Sequence, residues 1–133
     1  MPPVRTLIVE DHEEFRNLLR LTLQKEVQCI VIGEAVDGLQ AVQQAEELQP
    51  DLILLDLSLP KLNGMDAFRR IRKLSPLSKV VILSQDSSPD IVQGALHLGA
   101  VGYMLKSDAI DLSLALDTVL QGGVFVSSRL KNS

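Results

Sequence analysis

At 133 residues the chain is long enough for one domain with its own core. Hydrophobic residues make up 46%, which excludes a disordered chain, and aromatics only 3%, which weighs against a base-stacking nucleic-acid platform. A net charge of −4 argues against the domain gripping a phosphate backbone by itself. The single Cys29 allows no internal disulfide and reads as a small buried hydrophobe among Val27, Ile30, Val31 and Ile32. No apolar run is long enough to span a bilayer, and the opening Met-Pro-Pro-Val-Arg lacks a signal peptide's apolar stretch, so a reducing, cytoplasmic setting is expected.

Short apolar runs alternate with stretches of helical period. Val4 to Val9 reads as a first strand. Glu13 to Lys25 reads as a helix, with Phe15, Leu18, Leu19 and Leu23 at spacings of three and four. Gln28 to Glu34 is a second strand. After the turn signal Asp37-Gly38, a helix follows through Leu39, Val42, Ala45 and Leu48, ended by Pro50-Asp51. Leu52 to Asp56 is apolar without alternation, as a central strand covered on both faces should be. Pro60 and Gly64 mark a loop, and Phe68, Ile71 and Leu74 a third helix. Lys79 to Leu83 is a fourth strand. Ser88-Pro89 reads as an N-cap with proline at the first helical position, opening a helix through Ile91, Val92, Ala95 and Leu96. Val101 to Leu105 is a fifth strand. Ala109 to Gln121 is a last helix, stopped by Gly122-Gly123.

Five strands alternating with five helices predict an α/β fold: a doubly wound, five-stranded parallel sheet with helices on both faces. Ligands of such sheets bind at the carboxyl ends of the strands. Here those ends carry Glu10 and Asp11, Asp56, Ser84 and Lys106. Three acids, a hydroxyl and a lysine at one sheet edge have the make-up of a Mg²⁺-assisted phosphoryl site. Mg²⁺ takes a few carboxylates plus water and phosphate oxygens, and lysine is a flexible point charge suited to a phosphoryl oxygen.

The motifs Ile-Val-Glu-Asp-His (8–12), Asp-Gly-Leu-Gln-Ala (37–41), Leu-Leu-Asp-Leu-Ser-Leu-Pro (54–60), Asn-Gly-Met (63–65) and Gly-Tyr-Met-Leu-Lys (102–106) occur in order. Together they resemble the receiver domain of two-component response regulators, a flavodoxin-like (βα)5 fold, over residues 3–126. Residues 127–133 form a tail or the start of a linker. Gln-Gly-Gly-Val-Phe-Val-Ser (121–127) resembles regulators of the LuxR/NarL type that continue into a helix-turn-helix. The resemblance implies that Asp56 accepts a phosphoryl group from a histidine kinase or phosphotransfer protein. It implies Mg²⁺ on Glu10, Asp11, Asp56 and the Ser58 backbone carbonyl, Ser84 and Lys106 on the phosphoryl oxygens, and Tyr103 as a switch aromatic that turns inward. Any DNA contact would belong to a missing output domain or a partner.

The pattern departs from the family at two places. Gln85 stands where a small residue is usual and is expected to crowd the site and slow phosphoryl transfer or water entry. Ser107 replaces a proline whose peptide bond is commonly cis; a trans bond there would shift Lys106. Asp86 flanks the expected water path, and His12 and His97 read as surface positions without a catalytic role. Two other readings stand beside the first. A haloacid-dehalogenase-like phosphatase would want an acid two residues after Asp56, where Ser58 stands. A phosphate-independent interaction module would not need all five site residues. Apolar residues beyond one stripe on the first helix (Leu18, Leu21) and covering much of the last (Ile110, Leu112, Leu114, Leu116, Val119, Leu120) are either a broad core face or a surface for homodimers.

Overall fold

The computed structural model describes residues 2–130. It contains β1 (Val4–Val9), α1 (Glu13–Gln24), β2 (Cys29–Ala35), α2 (Gly38–Leu48), β3 (Leu52–Asp56), α3 (Gly64–Leu74), β4 (Lys79–Ser84), α4 (Pro89–His97), β5 (Gly102–Leu105), α5 (Leu112–Leu120) and β6 (Phe125–Val126). The strands form one parallel sheet in the order β2-β1-β3-β4-β5-β6. The predicted five-stranded sheet is therefore six-stranded: β6, only two residues long, adds to the β5 edge after the α5 crossover.

β3 lies at the centre and every one of its residues is buried. Because side chains alternate across a strand, it feeds two cores. Ile53 and Leu55 face Phe68, Ile71, Val92 and Tyr103, while Leu52 and Leu54 face Leu19, Leu23, Leu112 and Leu116. Leu54→Ala, which empties a fully buried position, is expected to cost about 2–5 kcal/mol, measured by urea unfolding.

Side-chain caps set two helix starts. Asp37 accepts from the Gln40 amide at 2.8 Å and Asn63 from the Asp66 amide at 3.0 Å. Pro89 opens α4 as predicted, but Ser88 does not cap it with its side chain; its hydroxyl turns back to Asp86. The last helix is shorter than its period suggested. Residues Lys106–Asp111 form a 3-10 turn in which Asp108 leaves helical geometry, and α5 starts only at Leu112.

The β3–α3 loop is pinned by two close backbone approaches. A Cβ on Gly38 would lie 1.9 Å from the Leu62 carbonyl oxygen, and one on Gly64 would lie 2.3 Å from Leu57 Cα. Only glycine fits at either place. The loop that follows Asp56 is thereby held against the starts of α2 and α3.

Candidate functional site

A parallel sheet brings all its carboxyl ends to one edge, and the acids collect there. Asp56 ends β3, and Glu10 follows β1; both are buried, with Glu10 fully inaccessible. Lys106, directly after β5, reaches between them. Its Nζ is 2.8 Å from Glu10 Oε1 and 3.1 Å from Asp56 Oδ2. Those are ion-pair distances, short enough for the ammonium to share its protons between the two carboxylates. The ammonium also sits 4.9 Å from the centroid of the Phe15 ring, a cation–π contact. Asp56 Oδ1 accepts from the Ser58 amide at 3.0 Å, which fixes the carboxylate plane.

Asp11 is more open and contributes a buried Oδ1 without a hydrogen-bond partner. His12 leans over the pair: its Nδ1 is 3.3 Å from Glu10 Oε2 and 3.4 Å from Asp11 Oδ1. Glu10, Asp11, His12 and Asp56 each offer one atom within 4.8 Å of the others. Three carboxylates that converge in this way beside a single ammonium suit a hard divalent cation such as Mg²⁺. The residues present therefore fit the ion that the sequence pattern implies.

The electrostatics agree with that. Burial pushes the Asp56 carboxyl up to about 6; the Ser58 amide and Lys106 oppose the shift and Glu10 adds to it. Burial works against the Lys106 ammonium, but contact with Glu10 and Asp56 outweighs it and holds its pKa above the usual lysine value. The cluster is short of positive charge when metal-free.

The other sequence-predicted residues sit one step away. Ser84 is buried at the end of β4, and its hydroxyl oxygen accepts from the Asp86 amide at 2.9 Å. Tyr103 is fully buried and donates to the Asp86 carbonyl at 2.6 Å, so it already points inward. Asp86 thus ties Ser84 and Tyr103 to the β4–α4 loop, and its own carboxylate accepts from the Ser88 amide at 2.8 Å. The Lys106–Ser107 peptide is trans, and Lys106 nonetheless reaches Asp56. Gln85 lines the mouth of the site, a cleft of about 490 Å³ shared with His12, Phe15, Lys106 and Ser107. Phe15 was legible only as a core position of α1; its place beside Lys106 has no mark in the sequence.

A family described as "Response regulator receiver domain" matches residues 6–117. The chain belongs to that family. It is a receiver domain of two-component response regulators. It is 34% identical to the transcriptional regulatory protein DegU of Brevibacillus brevis over 98% of this chain and 56% of that protein. It is 35% identical to the nitrate/nitrite response regulator NarL of Escherichia coli K12 over 96% of this chain and 60% of that protein. The chain thus spans little more than half the length of these curated relatives. Among solved structures, a LuxR-family two-component response regulator from Aurantimonas superposes with a TM-score of 0.90 at 28% identity, covering 98% of this chain and 94% of that one. The isolated receiver domain of RcsB from Salmonella enterica, determined with the phosphomimetic BeF3−, superposes with a TM-score of 0.91 at 25% identity, covering 98% of this chain and 97% of that one. As a receiver domain the chain is a signalling module, not an enzyme in the ordinary sense. Among the described residues no helix is long and apolar enough to cross a membrane.

Proposed function

We propose that this receiver domain is a phosphorylation switch with Asp56 as the phosphoacceptor. The observation that carries the reading is the buried Asp56 carboxylate, fixed by the Ser58 amide on one oxygen and facing the Lys106 ammonium with the other, beside two further acids. Asp56 Oδ2 attacks the phosphorus of a phosphohistidine on a sensor kinase or phosphotransfer protein. The new O–P bond forms as the donor's N–P bond breaks, and the imidazole leaves with its electron pair. Glu10, Asp11, Asp56 and the Ser58 carbonyl would hold Mg²⁺, which when bound would supply neutralisation of the charge gathered at the phosphoryl oxygens. Lys106 offers its ammonium to a phosphoryl oxygen. Gln85, at the cleft mouth, narrows the approach and slows the transfer.

The readout follows from the Ser84–Asp86–Tyr103 linkage. The Ser84 hydroxyl oxygen accepts from the Asp86 amide, and its proton is the one to be offered to a phosphoryl oxygen. Any movement of Ser84 is passed to Asp86 and so to Tyr103. The phosphoryl group biases the two arrangements by binding one of them better. A thermal-shift experiment tests the reading: beryllofluoride with Mg²⁺ is expected to raise the melting temperature well beyond Mg²⁺ alone, and Asp56→Asn is expected to abolish the added rise. An equal rise in the variant would sink it.

We assign the domain to residues 3–126, with the cytoplasm as its setting. Regulation of transcription through an output domain or partner follows the relatives, and the net charge of −4 leaves DNA contact to that domain. A second copy of the chain is the expected partner at α1 and α5. Leu18, Leu21, Ile110 and Leu114 are not core: they are 47, 53, 94 and 59% exposed. Leu18, Ala109 and Ile110 share a cleft of about 370 Å³ between α1 and the 3-10 turn that leads into α5. Light scattering after size exclusion should show a dimer on beryllofluoride treatment, lost in Ile110→Asp; a strict monomer in both states contradicts it.

A further inference from the structure

Segment 125–130 does more than extend the sheet. It grips the chain on both sides of Lys106. Before the lysine, the Leu105 amide donates to the Ser127 hydroxyl at 3.0 Å, and Ser127 is buried. The Ser127 amide returns a bond to the Tyr103 carbonyl at 3.1 Å. After the lysine, Arg129 Nη2 donates to Ser107 Oγ at 2.8 Å and pairs with Asp108. Leu130 anchors the segment in the same core as Tyr103.

Three features make this grip specific to Lys106. The lysine stem has no helix to hold it, because Lys106–Asp111 is a 3-10 turn with Asp108 outside helical geometry. Ser107 gives that turn none of the stiffness of a proline ring. The bonded residues 105, 107 and 108 bracket residue 106, so their contacts fix where its side chain starts. An exposed arginine–aspartate pair alone is weak. The buried Ser127 hydroxyl, which accepts from the Leu105 amide, carries more.

We infer that Ser127 and Arg129 are positioning residues for Lys106, so that the segment after α5 sets how well the lysine meets a phosphoryl oxygen on Asp56. This rests on the phosphoacceptor reading above, but its first readout does not. In metal-free protein, Ser127→Ala is expected to speed amide exchange at Leu105 and to move the Lys106 ammonium NMR signal toward that of an exposed lysine; Arg129→Ala should do the second more weakly. With acetyl phosphate and saturating Mg²⁺, phosphorylation should slow about tenfold in Ser127→Ala and about threefold in Arg129→Ala, with partial rescue by Arg129→Lys. Mg²⁺ affinity should not fall, since its ligands lie on other elements and a loosened Lys106 competes less for them.

An unmoved Lys106 signal in both variants overturns the inference, as does a loss of Mg²⁺ affinity parallel to the loss of rate, which would mark a general loosening. Arg129 is exposed, so its variant tests the idea even if Ser127→Ala folds poorly. If the wild type takes no phosphoryl group while the Lys106 signal moves as expected, the phosphoacceptor reading falls and the positioning role stands.

Discussion

Asp56→Asn is expected to make the metal-free protein more stable at pH 8. The carboxyl is buried and raised to about 6. Between the ordinary aspartate range near pH 4 and pH 6, the folded chain therefore holds a proton that the unfolded chain has released. Stability falls as pH rises through that window, and by pH 8 the full loss, about 2–3 kcal/mol, is present. Asparagine cannot ionise, fits the same space, and leaves Lys106 its pair with Glu10. The gain should be largest at pH 8 without metal, should vanish near pH 4, and should reverse at high Mg²⁺, which stabilises only the carboxylate form. Urea unfolding of both proteins at pH 4, 6 and 8, with and without Mg²⁺, measures this. A variant less stable than wild type at pH 8 without metal would show that Lys106 already satisfies Asp56.

Lys106→Ala should move stability the other way. The side chain is nine-tenths buried and is the ion-pair partner of both Glu10 and Asp56. Removing one side of a buried pair strands the remaining charge and costs about 3–5 kcal/mol. The loss should appear in metal-free protein at pH 8. It should shrink at low pH, where Asp56 takes up its proton, and on adding Mg²⁺. With Mg²⁺ present, phosphorylation should fall steeply at each pH, because the ion does not replace an ammonium placed against a phosphoryl oxygen. A variant of full stability would mean that the pair is dispensable to the metal-free fold. Two neighbouring substitutions with opposite signs follow from one cause, a carboxylate cluster with too little positive charge.

Much of this was legible from the sequence, for identifiable reasons. β3 was read to the residue because all of Leu52–Asp56 is buried on two faces, which leaves an unbroken apolar run. The strand-end rule then placed Glu10, Asp11, Asp56 and Lys106 together without any contact being known. The last helix was drawn too long because Ile110 fits the apolar period, yet its side chain is 94% exposed and serves no core. β6 left no pattern: Phe125-Val126 is too short to alternate, and only pairing with Gly102 and Tyr103 makes it a strand. Phe15 beside Lys106 and the Asp86 link between Ser84 and Tyr103 are contacts between distant segments, which periodicity does not encode. Ser107 suggested a displaced lysine; the turn is instead tied by Arg129, and Lys106 stays on the acids.

The most direct test of the central claim is intact mass after incubation with Mg²⁺ and acetyl phosphate, for wild type and Asp56→Ala. The site described here predicts one added phosphoryl group on the wild type, none on the variant, and none on either when the metal is chelated. Equal addition to both proteins, or none to the wild type with either acetyl phosphate or a phosphorylated histidine kinase, would contradict it.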